Sequence, residues 1–250
     1  PVIVARGNIN PRTLSSIAYG KLSNGGQTCV APDYALVHEE DLEDFIQQYD
    51  ETVTRFYPNG PDCADYTSIV SDRHYARLQG LLDDAREKGA RVIEIGTQPE
   101  SASNRVRTLA PTLVIGAKDD DSIMQEEIFG PILAVMQFRT AKEAINLANN
   151  TVYGLGASVW SESLPVSLEV ALSIKAGAVW INSHNLFDAA AGFGGYRESG
   201  YGRDGGKEGL YEYVKPSWQK SLRLPAMDTE INVKKFGSKF GENVIHCPGT

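Results

Sequence analysis

The run Ile132-Leu133-Ala134-Val135-Met136-Gln137-Phe138 is almost wholly apolar and follows a Gly130-Pro131 turn. A strand with one wet face alternates apolar and polar residues. An unbroken run belongs to a strand buried on both faces, as in a parallel sheet covered by helices. Pro1–Val4, Tyr34–Val37, Arg91–Ile95, Pro111–Ile115, Gly156–Trp160 and Ala178–Asn182 read as further strands. Helical periods fall between them. Arg12–Leu22 carries Leu14, Ile17, Ala18 and Leu22 on one face, and Asp41–Tyr57 carries Leu42, Phe45, Ile46, Tyr49 and Val53. A helix over Asp72–Lys88 has Ser71 as N-cap and Gly89 as its stop. Thr140 and Glu143 form a capping box for a helix ending near Asn149. Ser163 is expected to cap a helix with Pro165 in its first turn, stopped by Gly177. Strands alternating with helices predict an α/β fold: a largely parallel sheet with helices on both faces.

This rhythm spans residues 1–225. Residues 226–250 lose it, and with Lys234, Lys235 and Lys239 they read as a solvated tail or linker towards a following region. Both ends read as cuts in a longer chain, since Pro1-Val2-Ile3-Val4 enters a strand at once and Cys247–Thr250 closes nothing. With 24 basic against 32 acidic residues the net charge is −8, which disfavours nucleic-acid and membrane-surface partners. Three widely spaced cysteines make no disulfide framework and suggest a reducing, cytoplasmic setting. There is no membrane-length apolar run and no leader pattern.

Three segments carry candidate chemistry. Cys29 ends the Gly-rich loop Ser23-Asn24-Gly25-Gly26-Gln27-Thr28 between a helix and a strand. Small neighbours leave a thiol reachable and backbone N–H groups free to meet an oxyanion. A lone cysteine there also fits a buried structural thiol. Glu126-Glu127-Ile128-Phe129-Gly130-Pro131 sets paired carboxylates and an aromatic ring before a turn. One carboxylate could accept ribose hydroxyls and Phe129 could face a ring, but a solvated acidic pair fits equally well. Gly200-Tyr201-Gly202-Arg203-Asp204-Gly205 matches G-x-G-x-x-G, yet a loop rather than a strand precedes it, so a tight loop beside a pocket fits better than a dinucleotide fingerprint. His38, His74, His184 and His246 have no metal-ligand spacing, and no metal site is expected.

In this order, with Ala148–Leu155 (A-N-N-T-V-Y-G-L), Val179–Asn182 (V-W-I-N) and Phe193–Arg203 (F-G-G-Y-R-E-S-G-Y-G-R), these motifs resemble the aldehyde dehydrogenase superfamily over roughly Pro1 to Trp218. The resemblance implies a catalytic domain in which Cys29 attacks an aldehyde. A thiohemiacetal and then a thioester follow, with hydride passing to NAD or NADP. It implies that Glu127 binds the nicotinamide ribose, that Phe129 lies beside the ring, and that His74 stands near the cofactor. Thr28, Val30, Phe187 and Phe193 would line the aldehyde pocket, and Asn182 would support a strand end. The family's general base, a second oxyanion donor and the dinucleotide domain would lie before Pro1.

Gly192 replaces the proline that relatives usually carry before Phe193, so that loop is expected to be less rigid. Arg203–Tyr213 resembles the family-16 aldehyde dehydrogenases, in which a second aldehyde-dehydrogenase-like region follows. Such enzymes imply a homodimer. The competing possibilities are acyl transfer to coenzyme A, a cysteine hydrolase pairing Cys29 with His184, and a catalytically silent scaffold domain.

Overall fold

The computed structural model describes residues 1–96 and 105–214. Its order is β1 (Val2–Val4), α1 (Pro11–Leu22), β2 (Tyr34–His38), α2 (Leu42–Phe56), α3 (Asp72–Glu87), β3 (Arg91–Glu94), β4 (Thr112–Ile115), α4 (Ser122–Gln125), β5 (Ile132–Phe138), α5 (Ala141–Asn149), β6 (Gly156–Trp160), α6 (Leu164–Ser173), β7 (Ala178–Ile181) and α7 (Gly206–Tyr213). The strands form one sheet in the order β3-β4-β5-β2-β1-β6-β7. All neighbours run parallel except the edge pair β3 and β4.

Helices cover both faces, and the pleat decides which residue meets which. Val2, Val4, Ala35, Val37, Leu133, Val135 and Trp160 pack on Leu14 and Ile17 of α1 and on Phe45, Tyr49 and Val53 of α2. The alternate residues Ile3, Leu36, Phe138 and Val159 meet Ala144 and Ala148 of α5 and Val170 of α6. Val114 and Ile132 meet Leu78, Leu81 and Leu82 of α3. Each fully buried side chain of this kind contributes about 1.5–3 kcal/mol.

The caps follow the expected chemistry with two departures. Asn10 accepts Thr13 N–H at α1 and Ser71 accepts His74 N–H at α3. Gly89, at φ +89°, ends α3 with the Ala90 N–H returning to Ala85 O. Thr140 accepts Glu143 N–H, but Glu143 reaches back to Arg139 N–H instead of the Thr140 N–H that completes a standard box. Ser163 does not cap α6 with its side chain; its own N–H is taken by Ser161 Oγ at 3.1 Å, which turns the chain before the helix. α6 stops at Ser173, short of Gly177, and β7 stops at Ile181 because Asn182 turns to φ +50°. The tail assigned to residues 226–250 lies outside the described residues.

Candidate active site

In parallel strands, every helix-to-strand loop opens on the sheet's amino-terminal edge. The loops before β1, β2, β5, β6 and β7 there enclose a cavity of about 300 Å³ whose walls include Cys29, Val30, Asp33, Glu127, His184 and Ser199.

The Cys29 loop is built by left-handed backbone. Asn24, Gly25 and Gly26 have φ of 54°, 62° and 73°, which Asn and Gly tolerate best. A Cβ on Gly26 would come 2.1 Å from the Gly130 carbonyl oxygen, so only glycine lets this loop close on the turn before β5. The Gln27 side chain then ties the loop to its neighbour. Its Nε2 donates to Asn24 O (3.0 Å) and Ser68 O (3.1 Å), and its Oε1 accepts Val70 N–H (2.9 Å). Cys29 emerges exposed, and its backbone N–H makes no hydrogen bond among the described residues.

The carboxylate turn is braced from two sides. Phe129 sits at φ +51°, a costly value for an aromatic residue. His74 Nε2 lies 3.1 Å from Phe129 O, with the two rings 6.0 Å apart. From the same helix, Arg77 donates to Glu127 O (3.2 Å) and to Ile128 O, and stands 3.5 Å from the Glu126 carboxylate. On the other side Asp33 Oδ1 accepts the Ile128 N–H at 3.2 Å. Glu127 stays solvent-accessible, yet its place in the cavity wall desolvates it. That desolvation, and secondarily Asp33's charge, raises its carboxyl above the usual range, while Arg77 and Lys21 pull it down.

His184 forms the cavity's third wall. Its Nε2 lies 2.8 Å from Val30 O, so it is the protonated nitrogen, and Nδ1 is buried without a partner. Burial lowers its pKa to about 4, partly offset by the Val30 hydrogen bond. This neutral ring is a poor base for Cys29, which removes the support for a Cys29–His184 hydrolase. The ring packs so closely on α1 that a Cβ on Gly20 would sit 2.4 Å from its Cδ2. It also lies 5.2 Å from the Trp180 ring, which continues through Phe187 (5.8 Å) to Phe193 (4.8 Å from Phe187).

The residues singled out from sequence thus fall into three groups. Cys29, Val30 and Glu127 line one cavity, with Thr28 beside them in the chain. His74 and Phe129 pair behind Glu127. Phe187 and Phe193 form an aromatic pair that joins the cavity through Trp180 and His184. Asn182 braces the end of β6, accepting Ser161 N–H (2.9 Å) and donating to Ser161 O (2.8 Å). The Gly200–Gly205 segment has no strand before it, only a single bridge between Phe193 and Asp204. It is a loop with φ of 121°, 64° and 71° at its glycines. No group of His, Cys, Asp and Glu among the described residues could hold a metal. Sequence reasoning missed Lys21, Asp33 and Arg77. The acid directly after the Cys29 loop was the available signal for Asp33, whereas Lys21 and Arg77 looked like ordinary helix-surface cations.

Residues 1–218 match the aldehyde dehydrogenase family model. A probable coniferyl aldehyde dehydrogenase of Caulobacter vibrioides is 37% identical over 216 residues, covering 85% of this chain and 44% of that protein. A coniferyl aldehyde dehydrogenase of a Pseudomonas species is 36% identical over 222 residues, covering 86% and 46%. The chain therefore spans less than half the length of these curated relatives. Among solved structures, an aldehyde dehydrogenase of Mycobacterium tuberculosis complexed with NAD+ superposes with a TM-score of 0.76 at 29% identity, covering 86% of this chain and 44% of that one. An NAD-dependent enzyme of Sinorhizobium meliloti gives 0.74 at 32%, covering 86% and 42%. The family model over residues 1–218 and these relatives agree, and the chain belongs to the aldehyde dehydrogenase family.

Proposed function

We propose that this chain is the thiol-bearing catalytic domain of an NAD(P)-dependent aldehyde dehydrogenase. The observation that carries the proposal is the convergence of an exposed Cys29 and the braced Glu127 turn on one cavity. The residues fit the nicotinamide-ribose end of a dinucleotide, because a carboxylate whose backbone is braced lines the same cavity as the thiol. They do not fit its phosphates, since no strand leads into Gly200–Gly205.

Cys29 Sγ, as thiolate, adds to the aldehyde carbon, and the unbonded Cys29 N–H meets the oxygen that becomes negative. The bound cofactor supplies a hydride acceptor. After hydride loss the acyl group remains on Cys29 as a thioester, and water releases it as a carboxylic acid with the thiol restored. Glu127 orients the ribose, with Phe129 and His74 holding the turn that presents it. Thr28, Val30, Phe187 and Phe193 shape the aldehyde side. The aromatic run Trp180–Phe187–Phe193 and the likeness to coniferyl enzymes support a flat, aromatic aldehyde.

Arg203–Tyr213 supports a family-16-like subtype with a following aldehyde-dehydrogenase-like region. A homodimer and a cytoplasmic location accord with the family and with the cysteine usage. No helix among the described residues is long and apolar enough to cross a membrane. The direct test is NAD(P) reduction by the full-length protein with aliphatic and cinnamyl-type aldehydes, beside Cys29→Ser. Turnover confined to the wild type and fastest with aromatic substrates is expected. Equal turnover in Cys29→Ser would refute the proposal.

A further inference from the structure

Lys21 closes α1, and none of it reaches solvent; its Nζ makes no hydrogen bond among the described residues. Its ion-pair partner is Asp33 Oδ1 at 3.9 Å, beyond hydrogen-bond range. An enclosed, unbonded ammonium is strongly disfavoured unless its charge is used. The same Asp33 oxygen accepts the Ile128 N–H, one residue from Glu127, and Asp33, Glu127 and Cys29 share the cavity wall. Two carboxylates on one small cavity repel each other. Arg77 also reaches this turn, but its donors are committed to the Glu127 and Ile128 carbonyls and its charge lies beside Glu126. Lys21 is close enough to feel both Asp33 and Glu127.

We propose that Lys21 is a positioning residue of the cofactor site: its enclosed ammonium, 3.9 Å from Asp33, is the counter-charge shared by the Asp33 carboxylate that fixes the Ile128 turn and the Glu127 carboxylate that presents acceptors to a ribose. The second role rests on the ribose-binding assignment of Glu127; the first does not. The charged groups facing Lys21 are Asp33 and Glu127, and those facing Glu127 are Asp33, Arg77 and Lys21. Without the ammonium, Glu127 keeps its proton to higher pH and loses acceptor strength towards a vicinal diol.

The test is a carbon-13 NMR titration of the Glu127 carboxyl in the wild-type chain, Lys21→Met, Lys21→Arg and the double variant Lys21→Met/Asp33→Asn. The midpoint should rise by about one pH unit in Lys21→Met and stay near wild type in Lys21→Arg. It should also return towards wild type in the double variant, which removes both charges and keeps the test open where the single variant does not fold. Calorimetry of the full-length protein with NAD across pH should show the acid limb of binding moved up by the same unit in Lys21→Met, with rescue in Lys21→Arg. A Glu127 midpoint indifferent to Lys21→Met, or a double variant displaced from wild type by a full unit, overturns the proposal. Unchanged NAD binding in Glu127→Gln would instead remove the ribose assignment while leaving the NMR result standing.

Discussion

At the sheet's carboxyl-terminal edge the polar groups find partners. Arg6 pairs with Glu40 and Arg139 with Glu39. Asp41 accepts Gly7 N–H, Asn8 accepts Glu162 N–H, and Asn182 clasps Ser161. At the amino-terminal edge, Lys21 Nζ and His184 Nδ1 are buried without hydrogen bonds, and Asn24 and Phe129 hold left-handed backbone. Ligands of open α/β sheets usually gather at the carboxyl edge, and the cleft there is the larger, about 520 Å³ against 300 Å³. Volume alone therefore favours the carboxyl-terminal edge. Buried polar groups left without partners favour the amino-terminal edge instead, because they persist only where the surrounding structure or a ligand holds them. The proposed reversal follows from the place of Cys29 in a helix-to-strand loop.

The contrast should be largest in catalysis. Cys29→Ser in the full-length protein should cut aldehyde oxidation by roughly three orders of magnitude or more, whereas Arg139→Ala at the opposite edge should leave steady-state rates within about twofold. Comparable losses from both would erase the distinction.

Two glycines with the same backbone sharpen it. Gly26 and Gly7 both have φ +73°, but an added Cβ meets Gly130 O at 2.1 Å in the first case and nothing within 4 Å in the second. Gly7→Ala should cost about 1–2 kcal/mol, the left-handed penalty alone, and Gly26→Ala about 4 kcal/mol or more because backbone must also move. Urea melts of the chain measure both, and equal losses would mean that the Cys29 loop does not lean on the turn.

Acid should loosen the amino edge. The folded-state pKa of His184, about 4, lies below its ordinary 6.5, so the unfolded chain takes the proton first. The stability tied to the neutral ring is complete above pH 6.5 and is lost as pH falls from 6.5 to 4, by about 3 kcal/mol at 1.36 kcal/mol per unit. Melts at pH 7 and 4.5 should show a smaller acid loss in His184→Gln; an identical loss would place the sensitivity elsewhere. The smallest effect belongs to the exposed Arg139–Glu39 pair, where Arg139→Ala should leave the urea midpoint unchanged within error.

Much of this was legible beforehand because it is local. Apolar runs announced β2, β5 and β6, Ser71 and Gly89 bounded α3, and Asn24-Gly25-Gly26 announced a loop between α1 and β2. Contacts far apart in sequence were not legible. Arg77 sits where any helix carries a solvated cation, and its role exists only because the β5 turn lies against α3. Lys21 looks like a favourable last-turn lysine until the sheet closes over it. The helix α7 was hidden by Gly205, Gly206 and Gly209, whose poor propensity is outweighed by loop packing. The direction of β3 depends on pairing rather than composition.

The most direct measurement is to quench the full-length protein during turnover of an aromatic aldehyde with NAD and map its peptides by mass spectrometry. An acyl adduct on Cys29, absent from Cys29→Ser, is the predicted result. Turnover with the acyl group on Cys63, or continuing in Cys29→Ser, would contradict a thiol site at the amino-terminal edge.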